Sequence, residues 1–349
     1  MNNTLQKKEI WIDNVKIFAC LFVVLGHFFQ SMVISDILPQ SDLYYWFNTS
    51  IYYFHVPLFF ICSGYLYKKV HHYSTVKSHF KLVEKKLINL GVPYFTFSLI
   101  TWVLKNIFSS NVNTQTDGFI KSMFIEPIPP YWFLYCLFFL FLITPIFKNK
   151  SQNYYFFVFA IALNILTQFV NIDIYIIQKI CINLVWFSLG IILEQFDFYR
   201  TKKKENLYIN IALSLLFILL SIVFSLKRIL FPCKSLLMGL ISCFSFLGII
   251  NYISKTENQT KILGFLAKYT MHIFLLHTIC AASLRSLLFK LNVTNSVIHI
   301  ILGIIISFIG PIIIGIISDK IKFLDFFFKP NKYIKIKEWL KWQKNLTEQ

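Results

Sequence analysis

Long apolar runs alternate with short polar segments along nearly the whole of the 349-residue chain. Ten of these runs are each about long enough to cross the ~30 Å hydrocarbon layer as an α-helix rising ~1.5 Å per residue. The pattern therefore predicts an all-α, polytopic membrane helical bundle of about ten transmembrane helices. The predicted spans are 17–34, 49–67, 88–108, 131–147, 154–171, 174–193, 207–226, 235–253, 269–289 and 296–317.

The basic residues divide unevenly between alternate connecting segments. With the N-terminus placed inside, 26 of the 34 Lys and Arg fall in inside segments and 6 in outside segments, while Lys179 and Arg285 lie within spans. Because cytoplasmic loops of membrane proteins carry the excess of Lys and Arg, both termini are predicted to be cytoplasmic. The same asymmetry explains the net charge of +18, and no zinc-finger spacing or basic heptad helix indicates nucleic acid.

Composition supports a multi-pass protein of the cell membrane. The chain is 56% hydrophobic and only 14% charged, whereas a soluble domain is about a quarter charged. Its seven Cys fall almost entirely in apolar runs without a CxxC pair, and we interpret them as packing residues, not as a disulfide frame or a metal site. The largest predicted outside loop is 109–130. No internal repeat is apparent, and the domains are predicted as a transmembrane domain over 1–318 and a basic cytoplasmic tail over 319–349, an amphipathic helix with Trp339 and Trp342.

The first span carries ionisable groups on one face. Lys16 marks its inner boundary, and His27 follows eleven residues later, ~16 Å further along a helix and near the middle of the bilayer. Eleven residues turn a helix about 20° past three full turns, so the two side chains share a face. Asp13 and Cys20 lie near the same stripe, which forms a polar track along an otherwise apolar helix. Ionisable groups at this depth usually mark function.

Two further histidines are predicted at a similar depth. His55 lies ~20 Å from Lys68 along span two, and His277 lies ~14 Å from Lys268 along span nine. A histidine in a membrane bundle often only bonds across helices, and this structural alternative stays open for both. A zinc site of three histidines has no supporting carboxylate or Cys pairing, so no metal is predicted. Gly64 beside Ser63 would let a backbone or a ligand approach closely.

Five motifs stand in order along the chain. They are Ile10–Lys16 with Val23–His27, Phe54–Leu66 with its Pro-x-Phe-Phe and Ser-Gly-Tyr-Leu, the basic segment Lys81–Tyr94, Tyr131–Leu134, and Ile273–His277. Together they resemble the motifs of the acyltransferase family 3 membrane proteins. The sharpest match covers residues 10–66, and the similarity extends over most of the chain.

This resemblance implies a membrane-embedded O-acyltransferase of about ten helices. Such proteins transfer an acyl group, usually acetyl from acetyl-CoA, to a carbohydrate hydroxyl. The subgroup with His before the span-two Pro looks most like the acetylases of capsule, exopolysaccharide or O-antigen sugars. The chain departs from many relatives at Lys16, which replaces Arg, and at Lys81, Lys85 and Lys86, which replace paired Arg. Lysine binds phosphate as a point charge and lacks the bidentate fork of arginine.

The implied chemistry assigns a role to each candidate residue. A neutral imidazole can remove the hydroxyl proton near pH 7, so His27 is predicted as the general base; a transient acyl-histidine is the open alternative. His55 or His277 would orient His27 or donate to the developing oxyanion, with Ser63 a weaker donor. Asp13 and Gly64 are predicted as supporting residues.

The predicted substrates bind from opposite sides of the membrane. Lys16, Lys85 and Lys86 at the inner face would attract the phosphates of acetyl-CoA, which is a donor substrate; no tightly bound cofactor is predicted. The acceptor, a surface glycan or a lipid-linked sugar, would reach the site from the other side or laterally within the membrane. Tyr131 and Trp132 would stack on a sugar ring, and an ordinary interfacial aromatic belt is the structural alternative.

Three other functions compete with this one. A transporter or flippase of lipid-linked sugars would also be polytopic, but the sequence has no internal repeat or paired broken helices. A glycan polymerase usually needs a larger outside loop than 109–130. The other large membrane O-acyltransferase fold pairs its histidine with an upstream Asn in a longer chain.

Overall fold

The computed structural model describes residues 9–70, 75–109, 114–197, 204–254 and 259–334. Over these residues the chain forms twelve α-helices and no β-strand. The helices are α1 (Ile10–Ile34), α2 (Asp42–Tyr52), α3 (His55–Val70), α4 (Val76–Ile107), α5 (Trp132–Ile143), α6 (Lys150–Leu166), α7 (Tyr175–Gln195), α8 (Lys204–Leu226), α9 (Lys234–Ile253), α10 (Lys261–Lys290), α11 (Ser296–Lys320) and α12 (Lys322–Phe328).

The predicted all-α polytopic bundle is confirmed. Each of the ten predicted spans overlaps a helix, and seven helices of the described part are long and apolar enough to cross a membrane: α1, α4, α7, α8, α9, α10 and α11. The chain is therefore a multi-pass membrane protein. The count of ten stays a prediction, because α3, α5 and α6 have only 16, 12 and 17 residues.

Short polar side chains fix several helix starts. In each case the side-chain oxygen accepts a hydrogen bond from a backbone N–H of the first turn, which would otherwise lack a partner. These caps explain why the apolar runs begin as helices at defined residues. The capping residues are Ser41 for α2, Thr75 for α4, Asn149 for α6, Thr260 for α10 and Asn295 for α11.

The second predicted span, 49–67, is broken in the structure. Helix α2 ends at Tyr52 and α3 begins at His55. Pro57 lies in the first turn of α3, where a residue without an N–H is tolerated, but it cannot donate to the carbonyl four residues earlier as a continuous helix would require. The break therefore puts His55 at the start of a helix, inside the bundle.

The centre of the bundle is the contact between α3 and α7. A Cβ atom placed at Gly64 would collide with the carbonyl oxygen of Phe187, and one placed at Gly190 would collide with that of Ile61. The two backbones approach this closely only because both helices carry glycine there, as is common where membrane helices pack. The prediction that Gly64 admits a close neighbour is met by the backbone of α7.

Ion pairs distinguish the two ends of the bundle. Lys69 pairs with Glu9, and Lys268 pairs with Asp319 at 2.6 Å. We call this the lysine end, since Lys16 lies there too. At the opposite end, beyond Ser31 of α1, Arg228 of the α8–α9 connection pairs with Asp42 at 3.0 Å. Segments predicted inside thus meet at one end, and the assignment of that end to the cytoplasm stays a prediction.

The predicted outside loop 109–130 folds back along α4. Its described part begins beside the end of α4, where the Trp102 indole N–H donates to the Asp117 carbonyl at 3.0 Å. It then reaches deeper, since the Tyr94 hydroxyl donates to the Met123 carbonyl at 2.6 Å. Met123 is 1% exposed. The described part of this segment thus packs into the bundle, and α5 starts within it; its assignment to the outside stays a prediction.

Part of the predicted tail belongs to the bundle. Asp325 of α12 is fully buried, and its carboxylate accepts from Lys332 at 2.7 Å and from the Tyr333 hydroxyl at 2.8 Å. Phe328 packs with its ring centroid 4.9 Å from that of Phe97 on α4. The chain therefore continues as bundle structure to residue 334. The predicted amphipathic segment with Trp339 and Trp342 lies outside the described residues.

Candidate active site

Helices α1 and α10 run parallel and face each other through their polar residues. Three contacts join them, and the partners are 250, 250 and 254 residues apart in sequence. A nearly constant offset shows that one stripe of α1 meets one stripe of α10 along their length. The three pairs are Cys20 with the carbonyl of Thr270, His27 with His277, and Ser31 with Arg285.

A histidine pair occupies the middle of this interface. The ring centroids of His27 and His277 are 5.5 Å apart. His277 is 1% exposed, and the His27 residue is half-buried. His55 is close enough to His27 for the two rings to interact electrostatically. The structure thus brings together the three histidines that the sequence places at similar depth.

Backbone carbonyls determine which nitrogen of each flanking histidine carries the proton. Nδ1 of His55 lies 2.6 Å from the Ile51 oxygen, and Nδ1 of His277 lies 2.9 Å from the Phe274 oxygen. A carbonyl oxygen only accepts hydrogen bonds, so each Nδ1 must be the donor. In a neutral ring the lone pair is then on Nε2. The Nε2 atom of His277 is buried and has no hydrogen-bond partner in the described structure.

The predicted donor lysines meet at the lysine end. Lys16 of α1 and Lys85 of α4 lie close enough to the Lys86 ammonium for their charges to repel it. The Lys86 ammonium lies 4.2 Å from the centroid of the Phe141 ring, a cation–π contact that fixes its direction. Three like charges held together favour a polyanionic ligand.

The predicted supporting residues have separate roles. Asp13 and Lys16 both act electrostatically on Cys62 of α3, so the start of the α1 stripe faces α3. The Ser63 hydroxyl donates to the Phe59 carbonyl at 2.8 Å, and its proton is therefore used within its own helix. Gly64 serves the packing of α3 on α7.

Tyr131 and Trp132 differ in accessibility. Tyr131 is fully buried; its hydroxyl lies 3.0 Å from the Leu275 carbonyl of α10 and 2.9 Å from the Thr101 hydroxyl of α4. With no exposed ring face, Tyr131 ties three helices together beside the histidines, and the expected place at the outer surface is corrected. Trp132 is half-buried, and the Lys179 ammonium lies 4.9 Å from its ring centroid.

Two polar residues beside the site were not assigned roles from the sequence. Arg285 is buried on the His277 side of α10, and Lys179 lies against Trp132. Both are basic residues inside predicted spans, and Arg285 follows His277 by eight residues, about two helical turns on the same face. Among the described residues, no three His, Cys, Asp or Glu side chains come together as metal ligands.

A multi-pass helical bundle with a buried histidine pair between the lysine end and a buried arginine defines a membrane protein with an internal polar site. A family model described as an acyltransferase domain matches residues 9–316. The chain belongs to this family, acyltransferase family 3.

One curated relative is the nodulation protein NolL of Mesorhizobium japonicum. It is 25% identical over 148 residues, which amount to 42% of this chain and 37% of that protein. The chain thus spans less than half the length of this relative. No solved structure gives a significant match to the chain.

Proposed function

We propose that the protein is an O-acyltransferase of the cell membrane that moves an acetyl group from cytoplasmic acetyl-CoA to a hydroxyl of a cell-surface polysaccharide or a lipid-linked sugar. The observation that carries this proposal is the His27–His277 pair, 5.5 Å apart between centroids, between a lysine cluster and the opposite end of the bundle. Family membership supports the reaction class.

His27 acts as the general base. The residue lies inside the bundle and is half-buried, so its surroundings exclude bulk water while one nitrogen of the ring contacts the substrate hydroxyl. The imidazole takes the hydroxyl proton as the oxygen attacks the thioester carbonyl; the C–S bond then breaks, and the coenzyme A thiolate leaves and takes up a proton. A positioned base of this kind contributes about 10²–10⁴-fold to the rate. A transient acyl-His27 is the alternative route.

His277 and His55 position the base. Because Nδ1 of each donates to a backbone carbonyl, the Nε2 atoms of the neutral rings can accept a hydrogen bond and cannot donate one. Acceptance from the His27 N–H would fix the His27 tautomer and leave its other nitrogen free for the hydroxyl. This arrangement favours a positioning role over donation to an oxyanion. The engaged Ser63 hydroxyl is likewise a poor oxyanion donor.

The donor binds at the lysine end. Lys16, Lys85 and Lys86 attract the phosphates of coenzyme A, and Lys16 precedes His27 by eleven residues, ~16 Å along α1. The length of the pantetheine arm suits this separation.

The acceptor binds from the opposite end. Trp132 is half-buried, whereas Tyr131 is fully buried. The Lys179 ammonium lies against both the Trp132 ring and the Tyr175 ring, 5.1 Å from the centroid of the latter. Aromatic rings with an adjacent cation suit a sugar ring and its oxygens. Trp132, and not Tyr131, is therefore the stacking residue that we propose.

Proton NMR of the purified surface polysaccharide tests the proposal. The strains are a deletion, the deletion with the wild-type gene, and the deletion with His27→Ala or His299→Ala. His299 is a buried histidine on α11 that bonds to the Val293 carbonyl at 2.8 Å, remote from the site in sequence, and serves as the matched control. O-acetyl signals should vanish on deletion and return with wild type and His299→Ala, but not with His27→Ala. Immunoblots must show equal amounts of each variant in the membrane.

Unchanged acetylation in the deletion strain, with altered polymer amount or length, would refute the acyltransferase proposal. Transport of lipid-linked sugars would then be favoured. If His27→Ala restored acetylation, the protein would still be an acyltransferase, but His27 would not be its general base.

A further inference from the structure

Arg285 is a buried cation at the opposite end of the histidine interface from the donor lysines. It is 4% exposed, and it follows His277 by eight residues, which places it ~12 Å further along α10. Its guanidinium donates to the Ser31 hydroxyl, and Ser31 follows His27 by four residues on α1. Arg285 therefore lies on the same polar stripe as the proposed base.

No carboxylate balances this charge in the described structure. No described Asp or Glu lies within ion-pair distance of Arg285. Asp42 of α2 pairs instead with Arg228 at 3.0 Å. A buried charge with one neutral partner is costly, and within a membrane such a residue usually marks a substrate path. An anionic ligand would supply the missing counter-charge.

We propose that Arg285 binds an oxyanion, a carboxylate or a phosphate, carried by the acceptor. This rests on the proposed function, in which the acceptor reaches His27 from this end. The planar guanidinium has five N–H donors, of which Ser31 takes one, so four remain and two of these suffice for a bidentate bond to an oxyanion. The acceptor is consequently an acidic sugar or a sugar attached to phosphate.

The contact with Ser31 sets how far the charged group lies from the reacting hydroxyl. Although Arg285 and His277 are ~12 Å apart along α10, the guanidinium reaches Ser31, which lies only four residues, ~6 Å, beyond His27 on α1. The oxyanion therefore belongs to the acetylated sugar itself, to a neighbouring sugar or to the phosphate that links the sugar to a lipid. Arg285 thus selects acceptors that carry a charge close to the hydroxyl.

Binding measurements on the full-length protein in phosphatidylcholine nanodiscs test this site. The probes are a hyaluronan octasaccharide, which carries carboxylates, a neutral chitin octasaccharide, and a polyprenyl phosphate in the nanodisc compared with the corresponding polyprenol. Wild type should bind one anionic probe about tenfold or more tightly than its neutral counterpart, as expected for a charge-assisted bond. A preference for hyaluronan over chitin identifies the acceptor as an acidic sugar. A preference for the polyprenyl phosphate over the polyprenol identifies it as a lipid-linked sugar.

Matched variants separate binding from packing. Arg285→Gln should remove the preference for the anionic probe, and Arg285→Lys should retain part of it, since the charge remains without the fork. Arg228→Gln, the same change at an exposed arginine of the same end, should leave the preference unchanged. Ser31→Ala removes the α1–α10 tie but leaves the guanidinium, so the preference should persist.

Three results would overturn the proposal. They are equal binding of charged and neutral probes by wild type, an unchanged preference in Arg285→Gln, and a loss in Ser31→Ala as large as in Arg285→Gln, which would make Arg285 a packing residue. Acetyl-CoA turnover is measured on the same samples. Absent turnover with an intact anion preference would refute the acyltransferase function alone, whereas normal turnover without the preference would refute this site alone.

Discussion

Two helix interfaces in the core contrast in what they bury. Helices α3 and α7 meet through glycines, with Gly64 against the Phe187 backbone and Gly190 against the Ile61 backbone. Helices α1 and α10 meet through polar side chains, including the His27–His277 pair. The first interface gains contact between backbones, and the second holds ionisable groups away from lipid.

Within one bundle, the α3–α7 interface serves stability and the α1–α10 interface serves chemistry. Lipid tails are as apolar as helix surfaces, so membrane helices associate through close packing and not through burial of apolar area. The α3–α7 contact supplies such packing. The α1–α10 interface instead carries histidine, cysteine and arginine, and ionisable residues at this depth are costly and usually mark function. Substitutions in the α3–α7 interface should therefore lower stability, and substitutions in the α1–α10 interface should lower activity.

The largest effect is expected from Gly64→Ala. Its new Cβ collides with the Phe187 carbonyl, and backbone cannot move aside as a flexible side chain can. We expect a loss of about 3 kcal/mol and little folded protein, measured by thermal unfolding and by size-exclusion chromatography in detergent. Gly91→Ala is the matched control on α4, because its Cβ would meet only Leu87 at 3.7 Å. Equal stability of the two variants would contradict the proposed packing role of α3 and α7.

The second prediction concerns the polar interface. His277→Asn should lower kcat for acetyl transfer by about 10–100-fold, because His27 would no longer be held in position. A catalytic group misplaced by about 1 Å loses roughly this much of its rate. The apparent unfolding temperature should change little, in contrast with Gly64→Ala. His272→Asn is the control on the same helix; His272 stacks on Phe328 at 4.2 Å between centroids and should affect stability but not kcat. A kcat for His277→Asn equal to wild type would remove its positioning role.

A smaller effect is expected at the lysine end. Lys86→Ala removes one of three clustered charges, so the KM for acetyl-CoA should rise about tenfold while kcat stays near wild type. Steady-state kinetics at fixed ionic strength measure both. Lys105→Ala changes the other end of α4, where Lys105 donates to Thr114 at 2.9 Å, and should alter neither constant. A similar rise in KM for both variants would indicate a general charge effect instead of a binding site.

The smallest effect is expected at α12, outside both interfaces. Burial raises the pKa of the Asp325 carboxyl, but hydrogen bonds from Lys332, Tyr333 and Lys329 outweigh this and hold the pKa below its ordinary value. Asp325 therefore stabilises the fold at neutral pH, and this contribution disappears as pH falls through the folded pKa. Asp325→Asn should cost about 1 kcal/mol at pH 7, because the buried amide oxygen still accepts hydrogen bonds but loses their charge assistance.

Thermal unfolding across pH measures this effect. The difference between wild type and Asp325→Asn should shrink as pH falls below about 4, where the carboxyl of the unfolded chain becomes protonated first and that of the folded protein follows at lower pH. Asp36→Asn, a change at an exposed carboxylate, should leave the unfolding temperature equal to that of wild type at both neutral and acidic pH. A difference between wild type and Asp325→Asn that does not depend on pH would mean that packing, and not charge, anchors α12.

Several helices and the positions of residues along them can be predicted from the sequence alone. The apolar runs locate α1, α4 and α7 to α11 because a segment in lipid must satisfy its backbone internally, which a helix does by itself. Periodicity also places Lys16 and His27 on one face, since both lie on one helix. The histidine depths follow from residue counts, and the structure brings His27, His55 and His277 together. The roles of these residues stay predictions.

Tertiary structure alone decided which helix faces meet. Most of the surface of a membrane helix is apolar, so hydropathy does not show which of its apolar faces meets lipid and which meets another helix. The pairing of His27 with His277 and of Ser31 with Arg285 joins residues 250 and 254 positions apart, beyond any local period. The fold-back of the loop after α4 and the burial of Tyr131 likewise depend on contacts with distant helices. The sequence by itself determined the helices and the residues each one carries, and packing between helices decided which of those residues form the site.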